Sequence, residues 1–185
     1  MSAYPLNYRI AQAVGLSGAA WLSGTVASQL TGNIAALSLI AVPALTQSRE
    51  EKSVSQSTVV KLWNKVYDAG KAQNPPVAAT TAAAFLYLAW SVRHLHGALL
   101  FRPTTDNRVA LYITAATLTV SIVPYTIVTM RPTNNALIQL ARSRDLTTAE
   151  ETQSNDLLGR WILFNGIRSI LPLVGGLVGI TAAFL

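Results

Sequence analysis

A tryptophan, an asparagine and an arginine lie at helical spacing inside the last hydrophobic stretch of this sequence, residues 161–185. Trp161, Asn165 and Arg168 are four and three residues apart, so a helix places them on one narrow face. A charged side chain inside a membrane-spanning helix costs at least about 2.5–3.5 kcal/mol, so it usually faces a bundle interior or a wet cavity. The pattern predicts a polar pocket inside a small helical membrane protein. The alternative is an arginine that snorkels to the lipid headgroups from near the helix end.

The residues that could hold a metal ion are few. The two histidines, His94 and His96, are two residues apart, which places them on nearly opposite faces of a helix. Either one can still act as a proton acceptor near physiological pH. The chain has no cysteine, which excludes thiolate nucleophiles, iron–sulfur clusters and thiolate-bound haem. We therefore predict that the protein binds no metal and no organic cofactor.

Membrane-spanning helices are the elements that must position these side chains. Of the 185 residues, 51% are hydrophobic and only 12% are charged, which is unusual for a soluble domain. Four stretches reach the length of about 20 mainly apolar residues that a bilayer requires: residues 10–30, 77–100, 109–130 and 161–185. We expect one integral membrane domain over residues 1–185, an all-α bundle of four transmembrane helices. A shorter apolar run, residues 34–45, either continues the first helix or lies at the interface, and the orientation stays open.

The two long connections are expected to contain further helices. In the first, apolar residues repeat at helical spacing and predict an amphipathic helix within residues 58–69, which lies on the membrane surface or caps the bundle. Gly70 and the Pro75-Pro76 pair are expected to end that helix. In the second connection, residues 131–135 predict a turn. Thr148 and Glu151 then form a capping box, so the fourth helix begins well before its membrane part.

Charge and small residues indicate which partners the chain contacts. The net charge is +6 with a pI near 10.0, but the basic residues are spread over the loops without interleaved aromatic residues. That distribution favours contact with anionic lipid headgroups and not with nucleic acid. Gly175 and Gly179 lie on one helix face, as do Ala20 and Gly24, and such faces are typical of close helix packing. A homo-oligomer could form through them.

The combined pattern resembles the anthrone oxygenase-like family, which includes small fungal membrane proteins of polyketide pathways. The resemblance is carried by four spans in a short chain, by Pro-Thr-Asn-Asn at residues 132–135 and by the Trp161-x-x-x-Asn165-x-x-Arg168 motif. The segment Trp63-x-x-x-Tyr67-x-x-Gly70 and the Val-Pro-Ala-Leu sequence at residues 42–45 also look like the fungal branch. The resemblance extends over most of the chain.

This resemblance implies a cofactor-independent oxygenase that oxidises an anthrone-type aromatic polyketide to an anthraquinone with molecular oxygen. It implies a location in the endoplasmic reticulum or another internal membrane of a fungal cell. Arg168 and Asn165 would stabilise the negative charge on the former carbonyl oxygen, and Asn134 would approach the pocket from its loop. The substrate ring would lie against aromatic side chains, namely Trp161, Trp63 and Tyr67. The proton acceptor stays open among His94, His96, Tyr67 and a water molecule.

Two alternatives to anthrone oxidation fit the same residues. The fold could carry another reaction on an aromatic polyketide. It could also be a non-catalytic structural or assembly protein with four spans, in which the small-residue faces pack helices together. In that case Arg168 would contact a partner lipid or helix.

Overall fold

The computed structural model of this protein describes residues 4–24, 43–44, 47–48, 54–94 and 106–185. Its elements are helices, in the order α1 (Leu6–Ser23), α2 (Gln56–His94), α3 (Asp106–Val120), α4 (Ile122–Tyr125), a π-helical turn (Thr126–Met130), α5 (Arg131–Arg142) and α6 (Thr148–Phe184). No strand occurs within the described ranges, and the predicted all-α class is confirmed.

Among the residues that the structure describes, three helical stretches are long and apolar enough to cross a membrane, which indicates a membrane protein. They are α2, α6 and the run Asn107–Arg142, which joins α3 to α5. The first predicted span has different bounds in the structure. Helix α1 begins at Leu6 and ends at Ser23, because Gly24 adopts a left-handed φ of 89° and donates its N–H to carbonyls of the last turn. Residues 25–30, and most of the run 34–45, lie outside the described residues.

Helix α2 joins the predicted amphipathic segment to the second span. Residues 58–69 are helical as predicted, but Gly70, Pro75 and Pro76 do not end the helix, which continues to His94. The predicted end of this helix at Gly70 or at the proline pair is therefore wrong, and its position at the membrane surface stays a prediction. Each proline removes one helical hydrogen bond. Apolar burial on both sides of the pair, at Trp63 and at Ala78 for example, offsets that loss.

The third stretch changes its helical geometry around Pro124. Helix α3 ends at Val120, whose carbonyl would need the N–H that Pro124 lacks. After α4 the chain widens into the π-helical turn, a geometry that is rare and often found at functional sites. The turn predicted for residues 131–135 is wrong. These residues form the start of α5, where Pro132 occupies a first-turn position that needs no backbone donor.

Helix α6 begins with a capping box, as predicted, but one residue earlier. Thr147 is the N-cap, its Oγ1 accepts from the Glu150 N–H at 3.3 Å, and its own N–H donates to the Glu150 carboxylate at 2.8 Å. Two threonines precede two glutamates at the same spacing, so the sequence alone leaves either pair possible. The helix has 37 residues and rises about 55 Å. It therefore extends well beyond the roughly 30 Å of a hydrocarbon core.

The helices pack around two main apolar clusters. One joins α1, α2, α3 and α6 and includes Phe85, Leu88 and Tyr112. The other joins the first part of α2, α5 and the first part of α6, and it includes Trp63 and Trp161. Arg108 is only 3% exposed and links three helices in the first cluster, because it donates to the hydroxyls of Tyr4 and Tyr8 and to the Ala182 carbonyl.

The glycines of α6 pack helices within the chain. A Cβ on Gly175 would lie 3.0 Å from the Ala115 carbonyl oxygen, and one on Gly179 would lie 2.6 Å from the Phe85 ring. Both glycines are buried inside the bundle. A homo-oligomer would therefore need a surface other than this face.

Gly179→Ala is expected to destabilise the protein by about 1–3 kcal/mol, because the added methyl overpacks a filled core beside Phe85. Gly166→Ala in the same helix is the matched control, since no neighbouring atom lies within 4 Å of its Cβ position. Alanine there gains roughly 0.5–1 kcal/mol of helix stability over glycine. Thermal unfolding in detergent should show a lower midpoint for the first variant alone, and equal midpoints would contradict the close Phe85 contact.

Candidate active site

One face of α6 is buried along most of the helix and becomes polar in its middle. Trp161, Asn165, Ser169 and Pro172 are buried on this face, and Asn165 has no exposed surface. Arg168 lies beside Asn165 and is half-buried. The face exists because these residues recur at intervals of three and four, which is the period of an α-helix.

The Arg168 guanidinium joins α6 to the π-helical turn. Its Nη2 donates to Asn165 Oδ1, one turn earlier on the same helix, and its Nη1 donates to Thr126 Oγ1 at 3.0 Å. The Thr126 hydroxyl in turn donates to the Ile122 carbonyl at 2.7 Å. Two acceptors on two elements fix the plane of the guanidinium. Its Nε is buried and has no hydrogen-bond partner among the described residues.

A cavity of about 620 Å³, part of it open to the outside, lies beside this guanidinium. Its wall comes from α2, from α4 with the π-helical turn, and from Trp161 and Arg168 of α6. The α2 wall runs from Tyr67 to Pro75 at helical spacing, and the opposite wall includes Ile122 and Thr126.

Three residues of the cavity wall carry a buried polar atom without a partner among the described residues. They are Arg168 through Nε, Trp161 through its indole Nε1 and Asn74 through Oδ1. An unsatisfied buried donor or acceptor costs about 1–3 kcal/mol, so native proteins keep few of them. Three of the nine such side-chain atoms in the described residues belong to residues of this one wall.

The three aromatic residues predicted to bind a ring system lie together. Trp63 stacks on Tyr67 with 5.3 Å between ring centroids and meets Trp161 edge to face at 5.8 Å. Tyr67 and Trp161 line the cavity, whereas Trp63 is fully buried in the cluster behind them. Trp63 thus holds the orientation of the two rings that a ligand can contact.

Asn134 and His94 are placed elsewhere. Asn134 is buried on α5, within one turn of Met130 and Leu137, which share a core cluster with Trp161. It stands apart from the cavity wall that the described residues form. His94 is exposed at the end of α2, bonded through its ring to the Trp90 carbonyl, and about 40 Å along the helix from Tyr67. His96 lies outside the described residues.

Three polar residues of the cavity wall had no role in the sequence interpretation, namely Lys71, Asn74 and Thr126. Lys71 and Asn74 follow Tyr67 at intervals of four and seven residues, so helical spacing would have found them if α2 had been extended through the prolines. Thr126 meets Arg168 across 42 positions of sequence, and no local pattern signals that contact. Among residues 4–24, 54–94 and 106–185, no three His, Asp or Glu side chains form a group that could hold a metal ion.

The sequence matches known proteins over the part that forms this cavity. The family model described as anthrone oxygenase matches residues 63–178. The anthrone oxygenase encC of Aspergillus fumigatus is 35% identical over 92% of this chain and 90% of its own length. The anthrone oxygenase tpcL of the same organism is 30% identical, covering 83% of this chain and 85% of its own. A noranthrone monooxygenase of Aspergillus flavus is 26% identical, covering 88% and 71%. No solved structure matches the chain significantly.

Proposed function

Because this chain belongs to the anthrone oxygenase family, we propose that it oxidises an anthrone-type aromatic polyketide to an anthraquinone with molecular oxygen. The relatives that it matches are fungal proteins named as anthrone oxygenases or as a noranthrone monooxygenase. The observation that carries the proposal is a cavity between apolar helices whose wall includes two residues with N–H donors, Arg168 and Trp161. Preorganised donors in a site of low dielectric constant stabilise an oxyanion more than they do in water.

The reaction needs such donors at its first step. The anthrone methylene loses a proton, and the electron pair delocalises onto the former carbonyl oxygen, where Arg168 and Trp161 would donate to it. The enolate carbon then passes its electrons to O₂ and forms a carbon–oxygen bond, which gives a hydroperoxide. The second methylene hydrogen leaves as a proton while the O–O bond breaks. One oxygen atom ends in the new carbonyl and the other in water, so no external reductant is consumed.

The other residues of the site support this step in different ways. Asn165 holds the guanidinium by accepting from Nη2, and Trp161 and Tyr67 contact the flat ring system, with Trp63 behind them. On this proposal Asn134 acts through the core around Trp161. Tyr67 or a water molecule in the cavity accepts the proton, since His94 is remote from this cavity.

We place the reaction in the endoplasmic reticulum or another internal fungal membrane, with α1 as the fourth crossing beside the three apolar stretches. Helix α1 rises about 27 Å, close to the roughly 30 Å of a hydrocarbon core. Leu6, Ile10 and Val14 give it an exposed apolar face that would contact lipid. An apolar polycyclic substrate concentrates in the same phase.

Labelled oxygen tests this function. Purified protein given an anthrone under ¹⁸O₂ should form an anthraquinone with one heavy oxygen atom and consume one O₂ per product. The rate should exceed that of heat-denatured protein, which measures spontaneous autoxidation of the same anthrone. Equal rates in the two samples would refute the proposal.

Turnover is also expected to survive removal of metal ions. No cysteine is present, and the two histidines lie two residues apart, so the chain offers few ligands of the types that transition metals prefer. Dialysis against a strong chelator should leave the rate unchanged, and elemental analysis should find no stoichiometric transition metal. Loss of activity that one added metal restores would contradict a cofactor-independent reaction.

A further inference from the structure

The cavity reaches the outer surface of the third helical stretch, Asn107–Arg142. Val123 and Ile127 lie one turn apart on that stretch, and both line the cavity wall. They are also exposed, Val123 at 38% and Ile127 at 56% of their surface. Ile122 lines the cavity too, but it is only 4% exposed and belongs to the inner wall. The edge of the cavity is therefore continuous with the exposed apolar side of this stretch.

Charged residues indicate how deep this edge lies in a membrane. The third stretch has no charged side chain between Arg108 and Arg131. Helix α2 has none between Lys71 and Arg93. Because charged side chains avoid the hydrocarbon layer, Lys71 and Arg131 mark its boundary on two walls of the cavity. Arg160, which precedes the apolar part of α6, lies at the corresponding point of the third wall.

The cavity extends from this boundary into the apolar layer. Ile127 lies four residues before Arg131 and Val123 lies eight before it, so they are about 6 and 12 Å inside the layer at the helical rise of 1.5 Å per residue. Lys71 lines the cavity at the boundary itself. Exposed apolar side chains at such a depth contact acyl chains and not water. An opening along this edge therefore faces lipid, with Lys71 at its headgroup end.

We propose that the cavity opens sideways into the bilayer between α2 and the third stretch, past Val123 and Ile127, and that its substrate enters from the lipid phase. The route of the substrate rests on the proposed anthrone oxidation and adds how the ring system reaches the site. An apolar ring system and O₂ both partition from water into hydrocarbon. A route through lipid also keeps bulk water from the site, which strengthens the interactions of Arg168 and Trp161 with an enolate.

Spin labels test the direction of the opening. The chain has no cysteine, so Ile127→Cys introduces a single attachment site. In lipid vesicles its nitroxide should collide more with O₂, which concentrates in hydrocarbon, than with a water-soluble nickel chelate. Val128→Cys, at a position 78% exposed on the same stretch, is the reference for lipid. Gln153→Cys, at an exposed position in the first part of α6, is the reference for water.

A label at position 127 that resembles the Gln153→Cys reference would overturn the lateral opening. Val123→Cys gives the same measurement one turn deeper, so the test does not depend on the folding of a single variant. Its label should be still less accessible to the nickel chelate than the label at position 127. A nickel chelate that reaches both labels as well as it reaches the water reference would show that the opening faces water.

Blocking the opening tests whether the substrate passes it. Each variant is compared before and after reaction with a bulky maleimide, per folded molecule. The modification of Ile127→Cys should lower kcat/KM for an anthrone about 10- to 100-fold, because the added group overfills the opening. The same modification of Val128→Cys should change it less than about twofold, since Val128 lies outside the cavity wall. Equal effects in the two variants would overturn the entry route.

An anthrone with a long alkyl chain on an outer ring tests the route without any variant. Each methylene adds to the membrane affinity, so the chain holds the compound in the bilayer. A lateral opening lets the chain stay in lipid while the ring system enters. The parent protein should therefore oxidise this compound when both are in the same vesicles. Protein mixed with separate vesicles that carry the compound should give only the rate of autoxidation.

The two compounds also separate this inference from the proposed function. A parent that oxidises the simple anthrone but not the chain-bearing one in the same vesicles would overturn the lateral route and leave anthrone oxidation intact. A parent that accelerates neither compound over autoxidation would overturn the proposed function. The spin labels need no substrate, so they would then still decide whether the cavity opens to lipid.

Discussion

Arg168→Gln is expected to lower kcat/KM for anthrone oxidation about 100- to 1,000-fold. Removal of one oxyanion donor in other enzymes costs roughly 2.7–4 kcal/mol of barrier, and this substitution removes both the Nε donor and the positive charge. Quinone formation, followed by absorbance and corrected for the folded fraction, measures the loss. Thermal stability should change little, because the lost bonds to Asn165 and Thr126 are offset by removal of a half-buried charge.

Arg160→Gln provides the control for charge on the same helix. Arg160 is exposed, eight residues before Arg168, and outside the cavity wall. Its replacement should leave both turnover and stability near those of the parent. A structural role for Arg168 predicts the opposite outcome, namely an unstable protein whose folded fraction keeps its activity. Parent-like turnover per folded molecule would end the catalytic assignment.

The polar face of α6 could be found from sequence because its cause is local. Trp161, Asn165 and Pro172 repeat with the helical period inside an apolar stretch, and the structure buries all three on one side. Arg168 shares this polar segment but lies at the border of the buried face. The period of the sequence predicts which side chains share one face of a helix. How deeply each side chain is buried also depends on which helices pack nearby.

The path of α2 could not be found in the same way. Local preference ends a helix at Gly70 or at Pro75-Pro76, since each proline costs roughly 3 kcal/mol in a helix interior. The structure continues to His94, because the first part of α2 is buried against α5 and α6 and the second part against α1 and α3. That one difference hid Lys71 and Asn74, which line the cavity only when α2 is unbroken.

The contact between Thr126 and Arg168 shows a second limit. Pro124 signals an irregular third stretch, but it does not specify a π-helical turn or the direction of the Thr126 hydroxyl. Such a contact depends on the relative rotation of two helices that are distant in sequence. The sequence therefore predicts that Arg168 needs polar partners, and the structure supplies the second of them.

Asn165→Leu is expected to lower turnover about 100-fold. Leucine has a molecular shape similar to that of asparagine, so the change removes mainly the polar group. Asn165 Oδ1 accepts from Nη2 of Arg168, so leucine removes one of the two bonds that orient the guanidinium. A displacement of about 1 Å at a reacting centre can cost about 100-fold in rate.

Ser169→Ala is the control for Asn165→Leu. It tests whether removal of any polar group from this buried face lowers turnover. Ser169 lies one turn beyond Asn165, and its hydroxyl donates to the Gly166 carbonyl of its own helix at 2.6 Å. Removal of that hydroxyl should leave kcat and KM within about twofold of the parent, because the guanidinium keeps both of its acceptors. If Ser169→Ala lost as much activity per folded molecule as Asn165→Leu, the effect would belong to the packing of α6. If Asn165 acts by orienting the Arg168 guanidinium, only Asn165→Leu should lose activity.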